Sequence, residues 1–399
     1  MNIDTEALTS LRRVRLGQTD FHLLGTAHVS RQSASDVQRE LQSGRYDAVA
    51  IELCPSRHQA LTNPRSLEQM DLLKAIREGK VGMVAASLAL SAYQQRIAEQ
   101  FGIEPGAEMR AAITEAGKTG LPVLLIDREV GVTLKRVYRG VSWWQRLGLV
   151  AGLGGSLLSR EKITEQDIER LKQGDILEAT FSEFATQSPA LFRALIAERD
   201  RFMAAKLLTE AAGRYRNVLV VAGAGHIDGL ARELAVFQGD PEQAMEDLQQ
   251  VPPPGRWPRI IPWLIVAVIL AGFAYGFSQD TQLGWRLVID WILINGGLCA
   301  LGSLLALAHP LTVVASFIAA PLTSLNPTIG AGFVTAAVET AMRKPTVADF
   351  TSLRTDTAHL KGWWRNRVAR ILLVFVLSTL GSAAGTYIAG FRIAEQLLS

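Results

Sequence analysis

The chain has 399 residues, a formal net charge of +3 and 48% hydrophobic residues. This small charge, without a stripe of Arg and Lys carrying interleaved aromatics, argues against a protein that binds nucleic acid. The two cysteines, one in each half of the chain, argue against a disulfide framework or a cysteine-based zinc site.

Two short apolar runs near the N-terminus, Leu11 to Leu16 and Phe21 to Leu24, predict a strand pair joined by a turn. The second run leads through Gly25 to His28 and into a helix predicted over Ser30 to Leu41. A glycine at this position permits a tight turn, and the helix N-terminus offers free amide donors to an anion. His28 alone is explained equally well by a satisfied turn and by a binding site.

Two further apolar runs end in an acidic residue. DAVAIEL, residues 47–53, carries Glu52, and LPVLLID, residues 121–127, ends in Asp127. A carboxylate at the end of a buried strand is costly without a partner or a metal. Arg57, five residues after Glu52, is one candidate partner, and Arg128 follows Asp127 directly. A plain ion pair between Glu52 and Arg57 explains that carboxylate as well as metal binding does.

A helix is predicted over Ser188 to Ala212, with Ser188 as its cap and a proline in its first turn. It carries four consecutive charges at 198–201. Such a run is usually a solvated face, but its position before the next strand leaves room for Arg199 or Asp200 to turn inward.

The run NVLVVAGAGHIDG, residues 217–229, repeats the N-terminal pattern, because a Val-rich strand again meets Gly-x-x-His. Gly223 and His226 take the places of the earlier glycine and histidine, and Gly225 adds a second small residue to the turn. If these strands are parallel neighbours, their carboxyl ends meet at one edge of the sheet, where open α/β sheets bind ligands. The matched pair of motifs therefore favours one site built from both ends of a domain.

Three successive prolines in QQVPPPGRWP, residues 249–258, stop a helix and stiffen the chain. From Ile260 onward, long apolar stretches alternate with short polar breaks. We therefore predict an α/β domain at 1–250, a linker at 251–258 and a transmembrane domain at 259–399.

The transmembrane domain is predicted to be all-α and polytopic, with about four spans, because a span needs about 20 apolar residues. The third stretch, 311–341, is broken by Pro321, Asn326 and Pro327, so it is either one kinked span or two half-helices in a re-entrant turn. The four stretches are Ile260 to Phe277, Leu287 to Ala308, Leu311 to Ala341 and Ile371 to Ile393.

The basic loop at 342–370 is predicted to be cytoplasmic by the positive-inside rule. A re-entrant third stretch then puts the N-terminal domain on the cytoplasmic side of the inner or cell membrane, in keeping with an N-terminus that lacks a signal-like apolar segment. Small residues in the last stretch, from Gly381 to Gly385, permit close helix packing in the lipid bilayer and a homodimer without requiring one.

Five motifs, in this order along the chain, resemble the TraB/PrgY family of membrane proteins. They are GTAHVS at 25–30, ELCPSR at 52–57, DREVGVTLKR at 127–136, ERDRFMA at 198–204 and GAGHIDGL at 223–230. The resemblance implies an α/β domain of the wider group that includes Tiki proteases, GumN, ChaN and the erythromycin esterases.

In Tiki-like members, two Gly-x-x-His motifs and a glutamate are held to form a divalent-metal site for peptide hydrolysis. By this resemblance His28, His226 and Glu52 are metal ligands, with Mn, Co, Zn and Fe all compatible. Further candidate catalytic residues in the matching motifs are Arg57, Asp127, Arg128, Arg199 and Asp200. PrgY-type members are linked to pheromone shutdown, which suggests peptide substrates.

The leading expectation is therefore a membrane-anchored, metal-dependent hydrolase acting on peptides. No His-Glu-x-x-His motif supports a zincin. A binding protein that sequesters a peptide and signals through the membrane is the alternative. A transporter ranks last, because few charges lie within the apolar stretches.

Overall fold

The computed structural model describes residues 11–26, 31–63, 84–85, 88, 106–141, 148, 188–252, 257–326 and 329–398. The chain divides into two compact units. The first comprises Met1–Ser66 and Gln94–Pro252, and the second comprises Leu67–Tyr93 and Pro253–Ser399. The first unit is a mixed α/β domain, and the described part of the second contains helices.

The first unit contains a five-stranded sheet with the order β1-β2-β5-β3-β4. Its strands are β1 (Leu11–Leu16), β2 (Thr19–Thr26), β3 (Ala48–Ile51), β4 (Val123–Leu125) and β5 (Asn217–Gly223). β1 is antiparallel to β2, which confirms the predicted N-terminal strand pair, and Gly17 takes a φ of +57° between them. The other neighbours are parallel, so the last strand in the chain lies in the middle of the sheet.

Helices cover both faces of this sheet, as parallel sheets require. On one face, Val218 and Val220 of β5 are buried in a cluster that includes Leu207. On the other face, Leu219 and Val221 are buried with residues of the helices 31–42 and 107–119. This two-sided burial explains why β5 is a continuous apolar run without alternation.

The helices of the first unit connect and cover the strands. They are α1 (Arg31–Gln42), α2 (Pro55–Thr62), α3 (Ala107–Thr119), α4 (Val130–Gly140), α5 (Pro189–Phe192), α6 (Glu198–Glu210), α7 (Ala224–Val236) and α8 (Pro241–Gln249). A π-helical turn, Arg193–Ala197, joins α5 to α6. Ser188 is the N-cap residue of α5 and Pro189 lies in its first turn, as predicted, although the Ser188 side chain makes no capping hydrogen bond.

The second unit is built from helices of very different lengths. They are α9 (Trp257–Gln279), α10 (Thr281–Leu305), α11 (Pro310–Thr323), α12 (Ala331–Met342), α13 (Val347–Thr351), α14 (Leu353–Thr357), α15 (Gly362–Arg365) and α16 (Arg367–Leu398). Within the described residues, α9, α10 and α16 are long and apolar enough to cross a membrane. Large apolar side chains such as Val268, Ile318 and Leu380 are exposed on this unit.

The stretch predicted to be broken, 311–341, forms two short apolar helices, α11 with 14 residues and α12 with 12. Each is shorter than a span requires. The interruption lies between Thr323 and Ala331. Pro321 was expected to contribute to the break but lies inside α11, where its carbonyl oxygen accepts a hydrogen bond of 3.2 Å from Trp291 Nε1.

The helices α10 and α16 pack closely through glycine. A Cβ atom added at Gly302 would lie 2.2 Å from the carbonyl oxygen of Leu377, and one added at Gly381 would lie 2.2 Å from that of Leu298. Both distances are far below van der Waals contact. The small residues noted in the last apolar stretch therefore serve packing within the chain.

A neutral polar group links three helices of this unit, and we name it the Asn295 cluster. It consists of Asn295 on α10, Ser324 just after α11, and Ser382 and Thr386 on α16. Asn295 Nδ2 donates to Ser324 Oγ and Thr386 Oγ1, each at 3.0 Å, and its Oδ1 accepts from Ser382 Oγ at 3.3 Å. The side chain of Asn295 is fully buried, and its hydrogen bonds replace the water it lacks.

Candidate functional site

The carboxyl ends of β5, β3 and β4 lie side by side and bring acidic residues to one edge of the sheet. Glu52 follows the last residue of β3, and its backbone N–H donates to the carbonyl of Val221 at 3.0 Å. Asp127 follows β4, and its N–H donates to the carbonyl of Leu53 at 3.3 Å. Gly223 ends β5 beside them, and its N–H donates to Glu52 Oε2 at 2.6 Å.

A guanidinium joins these two carboxylates. Arg199, in the first turn of α6, donates from Nε to Asp127 Oδ1 and from Nη2 to Asp127 Oδ2, both at 2.9 Å. Nη2 also contacts Glu52 Oε1. Glu52 and Asp127 are only 2% and 5% exposed, so this bidentate contact compensates charges that water scarcely reaches.

His226 lies in the first turn of α7, against the same guanidinium. Its Nδ1 is 2.5 Å from Asp200 Oδ1, and its Nε2 is 3.0 Å from Arg199 Nη1 and 3.5 Å from Glu52 Oε1. Because arginine can only donate, we infer that Nε2 accepts from it and that Nδ1 carries the proton bonded to Asp200. We name Glu52, Asp127, Arg199, Asp200 and His226 the Arg199 cluster.

Burial and charge act in opposite directions on the pKa values here. Burial lowers the pKa of Arg199, but attraction from Glu52 and Asp127 outweighs it, and the pKa is raised. Arg199 is therefore a permanent cation. Burial raises the pKa of Asp200, while the hydrogen bond with His226 opposes the rise.

Gly229 makes room for the carboxylate of Asp200. A Cβ atom at residue 229 would lie 1.9 Å from Asp200 Oδ2 and 2.7 Å from its Cγ. Any side chain there would displace the group that orients His226. The sequence prediction missed this residue, although it ends the Gly-His-Ile-Asp-Gly run and is three residues from the histidine.

Neither glycine of the two Gly-x-x-His motifs takes a left-handed backbone conformation, and Gly25 serves close approach. Gly25 is not among the described glycines with positive φ, and Gly223 has a φ of −57°. A Cβ atom at Gly25 would lie 3.1 Å from Ile227 Cγ1 and 3.3 Å from Ala224 Cα. The turn predicted from Gly25 is therefore replaced by tight packing of β2 against the start of α7. Gly225 lies in the first turn of α7.

The π-helical turn before α6 provides acceptors for two arginines. In this turn the N–H of Glu198 bonds to the carbonyl of Arg193, five residues back, as is typical of a π-helix. Ala194 O accepts from Arg128 Nη2 at 3.0 Å, and Leu195 O lies 3.4 Å from Arg199 Nη1. The turn thus helps to fix Arg199 at the sheet edge.

Arg128, a predicted site residue, points to a neighbouring buried group. Its side chain is 0% exposed, and it donates from Nη1 to Glu198 Oε2 at 2.9 Å and from Nε to Thr133 Oγ1 at 3.0 Å. Arg136 Nε binds the same Glu198 oxygen at 2.6 Å. Arg128 also donates to the carbonyl of Leu248 at the end of α8, so it links the site to the C-terminal part of this unit.

Arg57 is not the partner of Glu52. Its Nη1 lies 3.9 Å from Asp127 Oδ2, and its side chain is 40% exposed. In the described part of the chain the guanidinium in contact with Glu52 belongs to Arg199, so the simple ion pair between Glu52 and Arg57 is wrong. Arg57 instead lies at the accessible rim of the Arg199 cluster.

Comparison with known proteins agrees with this architecture. Residues 10–235 match the model of the TraB/PrgY/gumN family, and residues 257–398 match that of the TraB family protein C-terminal domain. The chain belongs to the TraB/PrgY/gumN family. The two matches cover the unit with the sheet and the helical unit, respectively.

Similar proteins exist in an archaeon and in mammals. An uncharacterised protein of Methanocaldococcus jannaschii is 32% identical to this TraB-family chain, over 94% of this chain and 96% of that protein. The TraB domain-containing proteins of Bos taurus and Homo sapiens are 31% and 30% identical, each over 64% of this chain and 72% of the relative. These names give the family but no activity.

Two of the three metal ligands expected for the TraB-family site lie in the described residues. Glu52 Oε1 and His226 Nε2 are 3.5 Å apart, and Asp200 holds the other ring nitrogen, as carboxylates commonly do for ligating histidines. Glu52 and His226 are thus two donors of the types that bind divalent ions, and Arg199 contacts both of them. Residues 11–26, 31–63, 106–141 and the other described segments contain no group of three His, Cys, Asp or Glu able to hold one. The third expected ligand, His28, lies outside the described residues.

Proposed function

We propose that this TraB-family chain is a membrane-associated hydrolase that cleaves peptide bonds at the Arg199 cluster. The observation that supports this most directly is the 2.5 Å contact between His226 Nδ1 and Asp200 Oδ1. A histidine whose Nδ1 is held by a buried carboxylate presents Nε2 as a base of fixed tautomer and orientation. When water replaces Arg199 Nη1 as the partner of Nε2, this base can accept a proton from the water that attacks a carbonyl carbon.

The neighbouring charges suit the remaining demands of hydrolysis. When Nε2 takes a proton, Glu52 Oε1 at 3.5 Å is placed to stabilise the resulting imidazolium. Arg57, which is 40% exposed, is suited to stabilise negative charge on the carbonyl oxygen, because all five N–H donors of Arg199 are already engaged. Asp127 holds Arg199 by two hydrogen bonds, and the accessible Arg57 lies where a substrate would enter.

The proposal has a second, metal-dependent form, in which His28, His226 and Glu52 would hold a divalent ion and His226 Nε2 would be a ligand instead of the base. When bound, such an ion lowers the pKa of a coordinated water and polarises a carbonyl. Arg199 contacts both described ligand atoms, so its Nη1 and Nη2 donors must leave them when the ion binds. Mn, Co, Zn and Fe all accept such ligands.

We also propose that the helical unit is polytopic in the cell membrane and that the sheet-containing unit lies on the cytoplasmic side. The support is the three helices long and apolar enough to cross, together with the basic segment at 342–370. The candidate substrate is then a peptide present in the cytoplasm or delivered through the membrane.

The test is cleavage of a peptide library by the purified full-length protein in detergent, followed by mass spectrometry. Mn, Co, Zn and Fe are each offered, with a chelator as a further arm, and metal content is measured by elemental mass spectrometry. The variants are Asp200→Asn, which leaves the ring of His226 in place but disturbs its tautomer, and His226→Gln. The matched control is His22→Gln, because His22 lies on β2 outside the cluster.

We expect cleavage by the wild type and by His22→Gln, at least about a 100-fold lower rate for Asp200→Asn, and none for His226→Gln. Loss of both metal and activity in His226→Gln supports the metal-dependent form. Activity that persists with the chelator supports hydrolysis by the side chains alone. If no metal condition yields cleavage while peptides still bind, sequestration replaces the hydrolase proposal.

A further inference from the structure

A cavity of about 550 Å³ lies in the helical unit and is lined almost entirely by cations. It is formed by the C-terminal end of α12, the end of α15 and the first turn of α16. Its lining residues are Ala341, Met342, Arg343, Lys344, Arg365, Arg367 and Arg370. Five positive side chains around one cavity repel one another, so the arrangement favours an anion between them.

Three of these cations are held by backbone carbonyl oxygens. Arg343 Nη1 donates to Leu307 O at 2.8 Å, Arg367 Nη1 to Lys344 O at 3.0 Å, and Arg370 Nε to Trp364 O at 2.6 Å. A carbonyl group fixes a guanidinium without neutralising it. These three positive charges are therefore held in place before any ligand arrives, which lowers the entropy lost on binding.

Carboxylates compensate only part of this charge. Glu339 Oε1 is 3.4 Å from Arg343 Nη1, and Asp349 Oδ2 is 4.0 Å from Arg367 Nε. Within the described residues, neither Lys344 nor Arg365 has an ion-pair partner. Five cations against two carboxylates leave the cavity with three uncompensated positive charges.

The cavity lies where apolar helices end. Arg367 and Arg370 begin the third membrane-crossing candidate, Arg367–Gln396. Trp364, next to the lining residue Arg365, donates from Nε1 to the carbonyl of Leu305, the last residue of α10, at 2.8 Å. Tryptophan and a basic pocket at the ends of apolar helices mark the depth of lipid headgroups.

We propose that this cavity binds a phosphate-bearing anion, and that its source is the headgroup of an anionic phospholipid in the adjoining leaflet. Arginine presents several N–H donors in a planar fork that suits phosphate oxygens, and lysine adds a point charge. The apolar helix surfaces next to the cavity suit the acyl chains. This site is separate in residues and in chemistry from the Arg199 cluster.

The experiment measures lipid binding to the full-length protein in detergent by native mass spectrometry. The probes are phosphatidylglycerol and phosphatidylcholine with the same acyl chains, together with inorganic phosphate and glycerol phosphate as soluble anions. The test variant is Lys344→Gln/Arg365→Gln, which removes the two cations without described ion-pair partners. The matched control is Arg286→Gln/Arg392→Gln, which removes the same charge near the start of α10 and the end of α16.

We expect the wild type to prefer phosphatidylglycerol, the test variant to bind it roughly tenfold to thirtyfold more weakly, and the control to retain wild-type binding. Equal binding of both lipids by the wild type overturns the proposal. An equal loss of phosphatidylglycerol binding in the test and control variants also overturns it. Tight binding of inorganic phosphate without a preference between the lipids overturns the lipid assignment and leaves a soluble-anion site. Thermal unfolding of each variant excludes loss of fold as the cause.

Discussion

Both units bury polar side chains, but they do so with different chemistry. The Arg199 cluster consists of ionisable groups, with one guanidinium shared between two carboxylates beside a histidine and its aspartate. The Asn295 cluster consists of an amide and three hydroxyls that bond to one another across helices. The Arg199 cluster places charged groups at a sheet edge, whereas the Asn295 cluster links apolar helices through neutral hydrogen bonds.

This difference shows which buried polar group is suited to chemistry and which to assembly. Burying a charged side chain costs free energy of desolvation, and the same burial shifts its pKa. Groups with shifted pKa values are concentrated at functional sites. Neutral hydrogen bonds between helices contribute modestly and add no titratable group. The following variants test this difference between the charged and the neutral cluster.

The largest effect is expected from Arg199→Met, which leaves Glu52 and Asp127 buried without their cation. We expect the free energy of unfolding of the first unit to fall by about 3–5 kcal/mol at neutral pH. Chemical denaturation followed by circular dichroism measures it. Arg201→Met is the control, since Arg201 is 39% exposed and 3.4 Å from Glu233. Equal losses in the two variants would contradict the prediction.

A smaller, pH-dependent effect is expected from Glu198→Gln. Burial raises the pKa of Glu198, but hydrogen bonds from Arg136 and Arg128 outweigh it, and the pKa is lowered in the folded state. Its charge therefore stabilises the fold above the unfolded pKa of about 4.3, and this contribution is lost as the pH falls through the folded pKa. We expect a loss of about 2–3 kcal/mol at pH 7.

Unfolding curves recorded from pH 7 down to pH 3 check this prediction. The difference between Glu198→Gln and wild type should narrow as the pH falls below the unfolded pKa of about 4.3 and through the lower folded pKa. Glu233→Gln, which removes a more exposed partner of Arg201, should show little difference at any pH. A constant difference across the whole range would show that Glu198 acts by shape and not by charge.

In the helical unit, Gly302→Ala should cost about 1–3 kcal/mol, because its Cβ would lie 2.2 Å from Leu377 O and force α10 and α16 apart. Thermal unfolding in detergent measures the effect. Gly297→Ala on the same helix is the matched control, since nothing lies within 4 Å of its added Cβ. That control should gain stability slightly from the higher helix propensity of alanine. A loss of stability in Gly297→Ala would contradict the packing explanation.

The smallest effect is expected from Asn295→Leu, which removes the centre of the neutral cluster. The loss should be about 0.6–1.7 kcal/mol, the range typical of hydrogen bonds between membrane helices. Asn295→Asp tests a charged residue at the same position, because it places a carboxylate where no described cation is bonded to residue 295. We expect the aspartate variant to be clearly less stable than the leucine variant at pH 7 in the same thermal assay. Equal stabilities would remove the distinction between the two clusters.

The fold could be predicted largely from local pattern. Glycine-bounded apolar runs identified the strands, and the polar break after residue 323 separated α11 from α12. Strand order could not be predicted, because it depends on which faces pack together and not on local pattern. Thus nothing in the sequence alone indicates that β5 lies between β2 and β3.

For the candidate site, the acidic strand ends indicated Glu52 and Asp127, and the repeated motif indicated His226. Their shared cation was less clear, since Arg57, Arg128 and Arg199 all lie near these motifs in sequence. Side-chain direction decided among them: Arg128 turns to Glu198, and only Arg199 contacts both carboxylates. That direction depends on three-dimensional packing beyond the spacing of residues along the chain.

The π-helical turn Arg193–Ala197 gives the site an unusual sensitivity to chain length. Successive residues of an α-helix are about 100° apart around its axis. Deleting one residue from this turn would restore a regular α-helix. It would also rotate α5 and the residues Arg199 and Asp200 by about that angle relative to each other. The carbonyls that now accept from Arg128 and Arg199 would then accept ordinary helix hydrogen bonds instead. Loss of a single codon in this turn would thus disrupt the geometry of the Arg199 cluster, although all five of its residues would still be present in the sequence.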